Sequence, residues 1–372
     1  MSTPIVPLVK EVGRVTSSQV PLDSQQQKRF EGLIESLVMI DLHQHPFVFP
    51  ENLDLFAEYL RSGDFRWGYE AMRHGGFSGV ATANVLACLL NSHDVSFIRF
   101  DDLVSELNQM ISDLALHGDI AIKVGNADQI IAAKNSGKLG IFPTVEHLAI
   151  GNRIERVDLL YNLGVRLAGM VYNRKNYVGD GLNERNDGGL SDFGIEVLHR
   201  MNELGMAADL SHASHQTAMD IIEFSKAPVI FSHNQAYTLR QTKRSRKDEE
   251  LIACASNGGL IGITAVPNSL SDDPEQDIGC VLDHYDYMIK LVGIDSVGIG
   301  TDTTIGDHVG FHKKMMARDA PAVLPAPYLN GLESPADGKN IIRGLIVRGY
   351  SDDEIKKVAG GNALAYFRRV MN

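Results

Sequence analysis

A closed parallel (β/α)8 barrel of the TIM-like kind, in the α/β class, is the fold this 372-residue sequence predicts. Three observations carry it. Eight short apolar segments recur along the chain, helical patterns separate them, and polar residues stand repeatedly at the segments' C-terminal ends. Strands alternating with helices build a parallel sheet, and eight such units close on themselves. Length alone suggests ~2 domains, but barrels of this size commonly form one. The expected organisation is an arm and helix over 1–36 and a single barrel domain over 37–372.

Residues 1–21 carry proline and valine without periodicity and read as an extended arm. Phe30, Leu33, Ile34 and Leu37 follow helical spacing behind Asp23 or Ser24 as a cap, predicting a helix from Asp23 to Ser36. The first strand, Val38-Met39-Ile40-Asp41-Leu42-His43-Gln44-His45-Pro46, brings histidines at i and i+2 and is closed by a proline. Strand side chains alternate, so His43 and His45 share a face, a half-site for a borderline metal such as zinc. Residues 50–75 are polar and aromatic, and Asp64-Phe65-Arg66-Trp67-Gly68-Tyr69 suggests an ordered loop over a site. Its aromatics read as packing before substrate contact.

The second strand is read from Phe77 to Val85. Ser96–His117 is an amphipathic helix, with Leu103, Leu107, Ile111 and Leu114 on one face, and Ala127–Ser136 a shorter one. The third strand, Leu139–His147, delivers Glu146 at its end. A carboxylate there is costly unless paired or bound to metal. A helix near Arg156–Leu163 leads to the fourth strand, Val165–Tyr172, and a Gly- and Asn-rich loop, Asn173–Gly189. Helix Asp192–Leu204 precedes the fifth strand, Met206–Leu210, which runs into Ser211-His212. Helix Gln216–Phe224 then leads to the sixth strand, Pro228–Phe231, followed by Ser232-His233-Asn234. Gly259–Thr264 is the seventh, and Val297–Asp302 the eighth, again ending on an acid.

Composition excludes several functions. Thirty-five basic against 47 acidic residues give a net charge of −12, which disfavours nucleic acid and anionic membrane as partners. No run of ~20 apolar residues can span a bilayer. Met1-Ser2-Thr3-Pro4-Ile5-Val6 has no secretory pattern. Cys88, Cys254 and Cys280 lie far apart and form no CxxC pair, which suits reduced thiols and a cytoplasmic location.

The strand-end groups are His43, His45, Glu146, His212, His233 and Asp302, six residues from five strands. Functional side chains of such barrels gather at the C-terminal face, so these six should converge. Histidines with two carboxylates suffice for two divalent ions, one carboxylate bridging and the other free to ligate and move protons. His215 lies beyond the fifth strand and reads as surface or supporting. His147 should point away from Glu146. His74, His93, His117, His199, His284, His308 and His312 have no spacing argument and default to solvated or packed.

These residues carry a resemblance. The chain resembles the membrane (renal-type) dipeptidase family of the amidohydrolase superfamily. The matching segments are Ile40-Asp41-Leu42-His43, Val145-Glu146, Leu163-Gly164-Val165-Arg166, Gly189-Leu190-Ser191-Asp192-Phe193-Gly194 and Met201-Asn202-Glu203-Leu204-Gly205-Met206. They continue with Asp209-Leu210-Ser211-His212, Ser232-His233-Asn234-Gln235-Ala236-Tyr237, Gly300-Thr301-Asp302, Gly331-Leu332-Glu333 and Gly361-Asn362-Ala363-Leu364, covering roughly residues 37–370. The resemblance implies an amidohydrolase-type barrel holding two zinc ions per chain (Zn2+, with other divalent metals possible). His43, the residue at 45, Glu146 and Asp302 would hold one ion. Glu146, His212 and His233 would hold the other. It further implies attack on a dipeptide's amide by a metal-bridging hydroxide, with Asp302 passing the proton to the leaving amine. Arg244 would bind the substrate's carboxylate, as a guanidinium fork suits. Its cluster, Lys243-Arg244-Ser245-Arg246, also reads as a solvated loop. A homodimer follows by the same analogy.

The chain departs from the family at three places. His45 stands where the family has aspartate, raising the site's net charge by about one unit. Tyr172 takes the place of a histidine that contacts the substrate carbonyl; its phenol donates a hydrogen bond but carries no charge. Thr303-Thr304-Ile305-Gly306 replaces an acidic-glycine sequence. The expected function is a zinc-dependent dipeptidase, including for D-configured C-terminal residues. The alternative is a related metal-dependent hydrolase or lyase acting on another small-molecule amide.

Overall fold

The computed structural model describes residues 6–84, 95–315, 326 and 328–371. Among the described residues ten parallel strands form one sheet: β1 (Met39–Val48), β2 (Phe77–Asn84), β3 (Ala121–Lys123), β4 (Leu139–Val145) and β5 (Leu167–Gly169), then β6 (Ala207–Asp209), β7 (Ile230–Asn234), β8 (Leu260–Ile263), β9 (Val297–Ile299) and β10 (Thr303–Ile305). Eight of them, β1, β2 and β4 to β9, follow one another in space, and β9 pairs back onto β1 at Asp41 and Ile299. The barrel is closed, as the alternation of strands and helices predicts.

Two strands escape sequence reading. β3 pairs with the N-terminal half of β4, where β5 cannot reach because it joins β4 only at Thr144 and Val145. β10 resumes the line of β9 beyond Asp302 and pairs with the outer half of β1 at Gln44 and Thr303. Between the two strands Asp302 takes φ 55°, the left-handed conformation that Asp tolerates better than most residues.

Pro46 does not close the first strand, which runs on to Val48. Proline costs a strand only a donor; here its carbonyl accepts from Gly68 N at 2.9 Å, and Phe47 bridges to Trp67 beyond it. Within 50–75, Asp64–Gly68 forms the loop expected of Asp64–Tyr69, flanked by helices Phe56–Ser62 and Tyr69–His74 that were not expected. Its aromatics are core: Phe47 packs 4.7 Å from Phe65, 4.8 Å from Trp67 and 6.2 Å from Tyr59. The helix expected from Ser96 begins at Phe100, after a 3-10 turn at Val95–Phe97 and an extended Arg99. Val85, Cys88 and His93 lie outside the described residues.

The helix before β1, Ser24–Ser36, is capped by Asp23, whose carboxylate accepts from Gln26 N at 2.8 Å while the Gln26 side chain accepts from Asp23 N. Phe30 and Leu33 are its buried face, each worth about 1.5–3 kcal/mol of burial, and it packs on helix Lys339–Val347. The arm before it lies along the barrel: Val9 N donates to Phe49 O at 3.0 Å and Val20 N to Asn340 Oδ1 at 3.1 Å. No helix among the described residues is long and apolar enough to cross a membrane.

Candidate metal centre

The six strand-end residues meet at the C-terminal mouth of the barrel. Glu146, the residue after β4, is their hub. Its Oε1 lies 2.8 Å from His212 Nε2, 3.6 Å from His233 Nε2 and 3.7 Å from His43 Nε2, while Oε2 lies 3.8 Å from His45 Nε2. Asp302 faces it, with Oδ1 at 3.1 Å from His45 Nε2 and 3.6 Å from His43 Nε2. Close approach of strands makes this geometry possible. A Cβ on Gly169 of β5 would stand 2.1 Å from the Glu146 carbonyl oxygen, so β5 can lie this near only as glycine.

The outer ring nitrogens of His43, His212 and His233 are held, while that of His45 is buried without a partner. His212 Nδ1 is 2.8 Å from Asn173 Oδ1. An amide oxygen only accepts, so Nδ1 carries the hydrogen and Nε2 turns its lone pair to Glu146. Asp41 ties β1 to the end of β9: its carboxylate accepts from Thr301 N at 2.9 Å, Thr301 Oγ1 at 2.6 Å, His43 N at 3.1 Å and Gln44 Nε2 at 2.6 Å. Gln44 thus turns away from the histidine pair, as strand alternation predicts.

Burial sets the electrostatics. With little water to solvate an imidazolium, His43 is pushed down to about 3, and His212 and His233 well below the ordinary histidine value. These are neutral imidazoles, the form that ligates metal. Burial pushes Glu146 up to about 8, against the pull of His45. Burial also opposes charge on His45, but Asp302 and Glu146 outweigh it and raise the imidazole to about 9. Asp302, despite its own burial, is held below the usual carboxylate range by His45 and His43.

A divalent ion fits this donor set. His43 Nε2 and Glu146 Oε2 are buried without a hydrogen-bond partner, an arrangement that costs free energy unless something fills the space between them. His43, His45 and Asp302 bring ligand atoms within 4.8 Å of one another, and so do Glu146, His212 and His233. A third trio, His43, Asp209 and His233, lies within the same span.

Tyr172 stacks on His212, with ring centroids 4.1 Å apart. Arg244 stands at the rim: Nη2 donates to His233 O at 3.0 Å and Nη1 to Ser211 O, and burial brings its guanidinium down to about 10. It is no solvated loop residue. Its neighbour Arg246 is buried, bonding Glu250 at 3.0 Å and Ser211 O at 2.8 Å. His215 faces Glu249 and Glu250 at 3.4 and 3.6 Å, away from the centre. His147 Nε2 lies 3.0 Å from Asn176 Nδ2.

Sequence reasoning missed several residues around the six. His308 and His312 stack at 4.5 Å near Asp302, the first buried and the second partly so, and only their i, i+4 spacing on a helix could have drawn attention. Asp41, Asp209 and Ser232 fall within the family-matching segments one to three residues before a candidate ligand, but nothing there signals a role, and Asn173 has no such signal at all.

A closed (β/α)8 barrel with buried histidines and carboxylates at its C-terminal mouth defines a metal-dependent hydrolase of the amidohydrolase kind. The chain belongs to the membrane dipeptidase family, peptidase family M19, whose family model matches residues 27–318. It is 29% identical over 302 residues to an uncharacterized dipeptidase of Schizosaccharomyces pombe, covering 74% of this chain and 71% of that protein. It is also 29% identical over 273 residues to dipeptidase tcpJ of Claviceps purpurea, covering 72% of this chain but only 60% of the other. A solved amidohydrolase from Pseudomonas aeruginosa superposes with a TM-score of 0.78 at 28% identity, covering 92% of this chain and 99% of that one.

Proposed function

We propose that the chain is a zinc-dependent dipeptidase with two ions per centre, acting on dipeptides or dipeptide-like amides that carry a carboxylate. One observation carries the reading: Glu146 gathers His43, His45, His212 and His233 within 3.8 Å of its two oxygens. That is the arrangement a bridging carboxylate needs. His43, His45, Glu146 and Asp302 would hold one ion, and Glu146, His212 and His233 the other. Such ions polarise an amide carbonyl and make water nucleophilic near neutral pH.

The chain's own residues do the rest. Asp302, angled into the centre by its left-handed backbone, accepts the proton of the attacking water and returns it to the leaving amine. Arg244 binds the substrate's carboxylate, already oriented by the carbonyls of Ser211 and His233. Tyr172, fixed against His212, donates its phenol hydrogen to the scissile carbonyl as negative charge grows there. Assembly as a homodimer belongs to the same reading, and light scattering on the eluted protein would return twice the chain mass.

His45 favours a second reading. An imidazole in place of the family's aspartate, 3.1 Å from Asp302, changes the charge beside the proton acceptor. That suits a metal-dependent enzyme acting on another small-molecule amide. A panel of dipeptides, with L–D pairs included, decides between them. Turnover of any member supports the dipeptidase, and a zinc-loaded protein that cleaves none excludes it.

A further inference from the structure

His43 and His233 come from different strands, yet their rings stack with centroids 3.6 Å apart. One hydroxyl serves the outer nitrogens of both. Ser232 Oγ lies 2.7 Å from His233 Nδ1 and 3.5 Å from His43 Nδ1. Its own hydrogen is committed elsewhere, because Ser232 Oγ donates to Asp209 Oδ2 in a short bond. The other carboxylate oxygen, Oδ1, accepts from Ser232 N at 3.0 Å, Ser211 N at 3.0 Å and Ser211 Oγ at 2.7 Å. Asp209 and Ser232 are buried, with relative exposures of 3% and 0%, so water does not compete for these bonds.

A hydroxyl has a single hydrogen. With that hydrogen on Asp209, the serine oxygen is an acceptor toward both rings, and both imidazoles carry their hydrogen on Nδ1. Their Nε2 lone pairs then point to the centre, 3.7 and 3.6 Å from Glu146 Oε1. The bond that a histidine makes through one nitrogen fixes what the other can ligate. We propose that Ser232, held by Asp209, is a positioning residue for one histidine ligand in each half of the centre, so that a single hydroxyl couples the affinities of both ions. The inference rests on the two-ion reading above. Packing at this position runs through the Ser232 carbonyl, against which Gly262 and Gly300 close, and a side-chain substitution leaves that contact in place.

The test is a cobalt(II) titration of metal-stripped protein against a competing chelator, followed by the visible spectrum of the bound ion. Ser232→Ala should bind both equivalents on the order of 10-fold or more weakly than the parent chain. Asp209→Asn should weaken binding by another route: its amide donates to the serine and frees the single hydroxyl hydrogen for the nearer ring, His233, which it drives to the wrong tautomer. A folded Ser232→Ala with parental affinities would overturn the proposal. So would weakening of one equivalent alone, or a lowered melting temperature of the metal-free protein with unchanged affinities. Should Ser232→Ala fail to fold, Asp209→Asn decides: a folded variant with parental affinity for both equivalents would overturn the proposal. Parental protein that binds no cobalt would sink the two-ion reading, and this inference with it.

Discussion

At the scale of single residues, the account turns on Glu146, Asp302 and Arg244. Glu146→Ala removes the group that every histidine ligand approaches, and should abolish both metal loading and turnover. Asp302→Asn is the cleaner probe of proton transfer. Asn tolerates the left-handed backbone at φ 55°, so the fold should survive while turnover falls by about 100-fold or more. Parental activity in that variant would remove Asp302 from the proton path. Arg244→Ala should raise KM by about 10- to 100-fold, the worth of a charge-assisted hydrogen bond, with a smaller change in kcat. An unchanged KM would take Arg244 out of the substrate site. The convergence of the six strand-end residues was legible because each lies at the end of an apolar run, a pattern that survives in one dimension. The roles of Asp41, Asp209 and Ser232 were not. They depend on how close two strands lie across the barrel, and no local pattern encodes that distance.

At the scale of elements, the centre depends on strands that pack without side chains between them. A Cβ on Gly300 of the β9 end would meet the Ser232 carbonyl oxygen at 1.8 Å, and one on Gly169 the Glu146 carbonyl oxygen at 2.1 Å. Gly169→Ala should therefore displace Glu146, costing about 1–3 kcal/mol of stability and lowering metal affinity together. Denaturant unfolding and metal titration would check the pair, and a variant matching the parent in both would refute the close-packing argument. The eight barrel strands were readable as apolar segments, with ends that shifted by a few residues. β3 and β10 were not, for each gains its strand character from a neighbour and not from an apolar run of its own. The helices within 50–75 were obscured because their aromatics bury in a cluster without helical periodicity.

At the scale of the molecule, the fold brings three histidines that burial keeps neutral together with two carboxylates in a site it does not itself satisfy. Such a site stores binding free energy that a metal ion releases. Zinc should therefore raise the unfolding free energy of the metal-stripped protein by about 2.7 kcal/mol at a hundredfold excess over Kd. Glu146→Ala should lose that response. The closed barrel followed from alternation alone, since eight strand–helix units have few other ways to bury both faces of a parallel sheet.

The most direct test is the metal content of the purified chain after zinc reconstitution and removal of free ion, measured by mass spectrometry of the elements beside Glu146→Ala. The account predicts about two ions per parental chain, for two sites sharing one carboxylate, and their loss in the variant. Parental protein that retains no ion, or a variant that retains both, would contradict it.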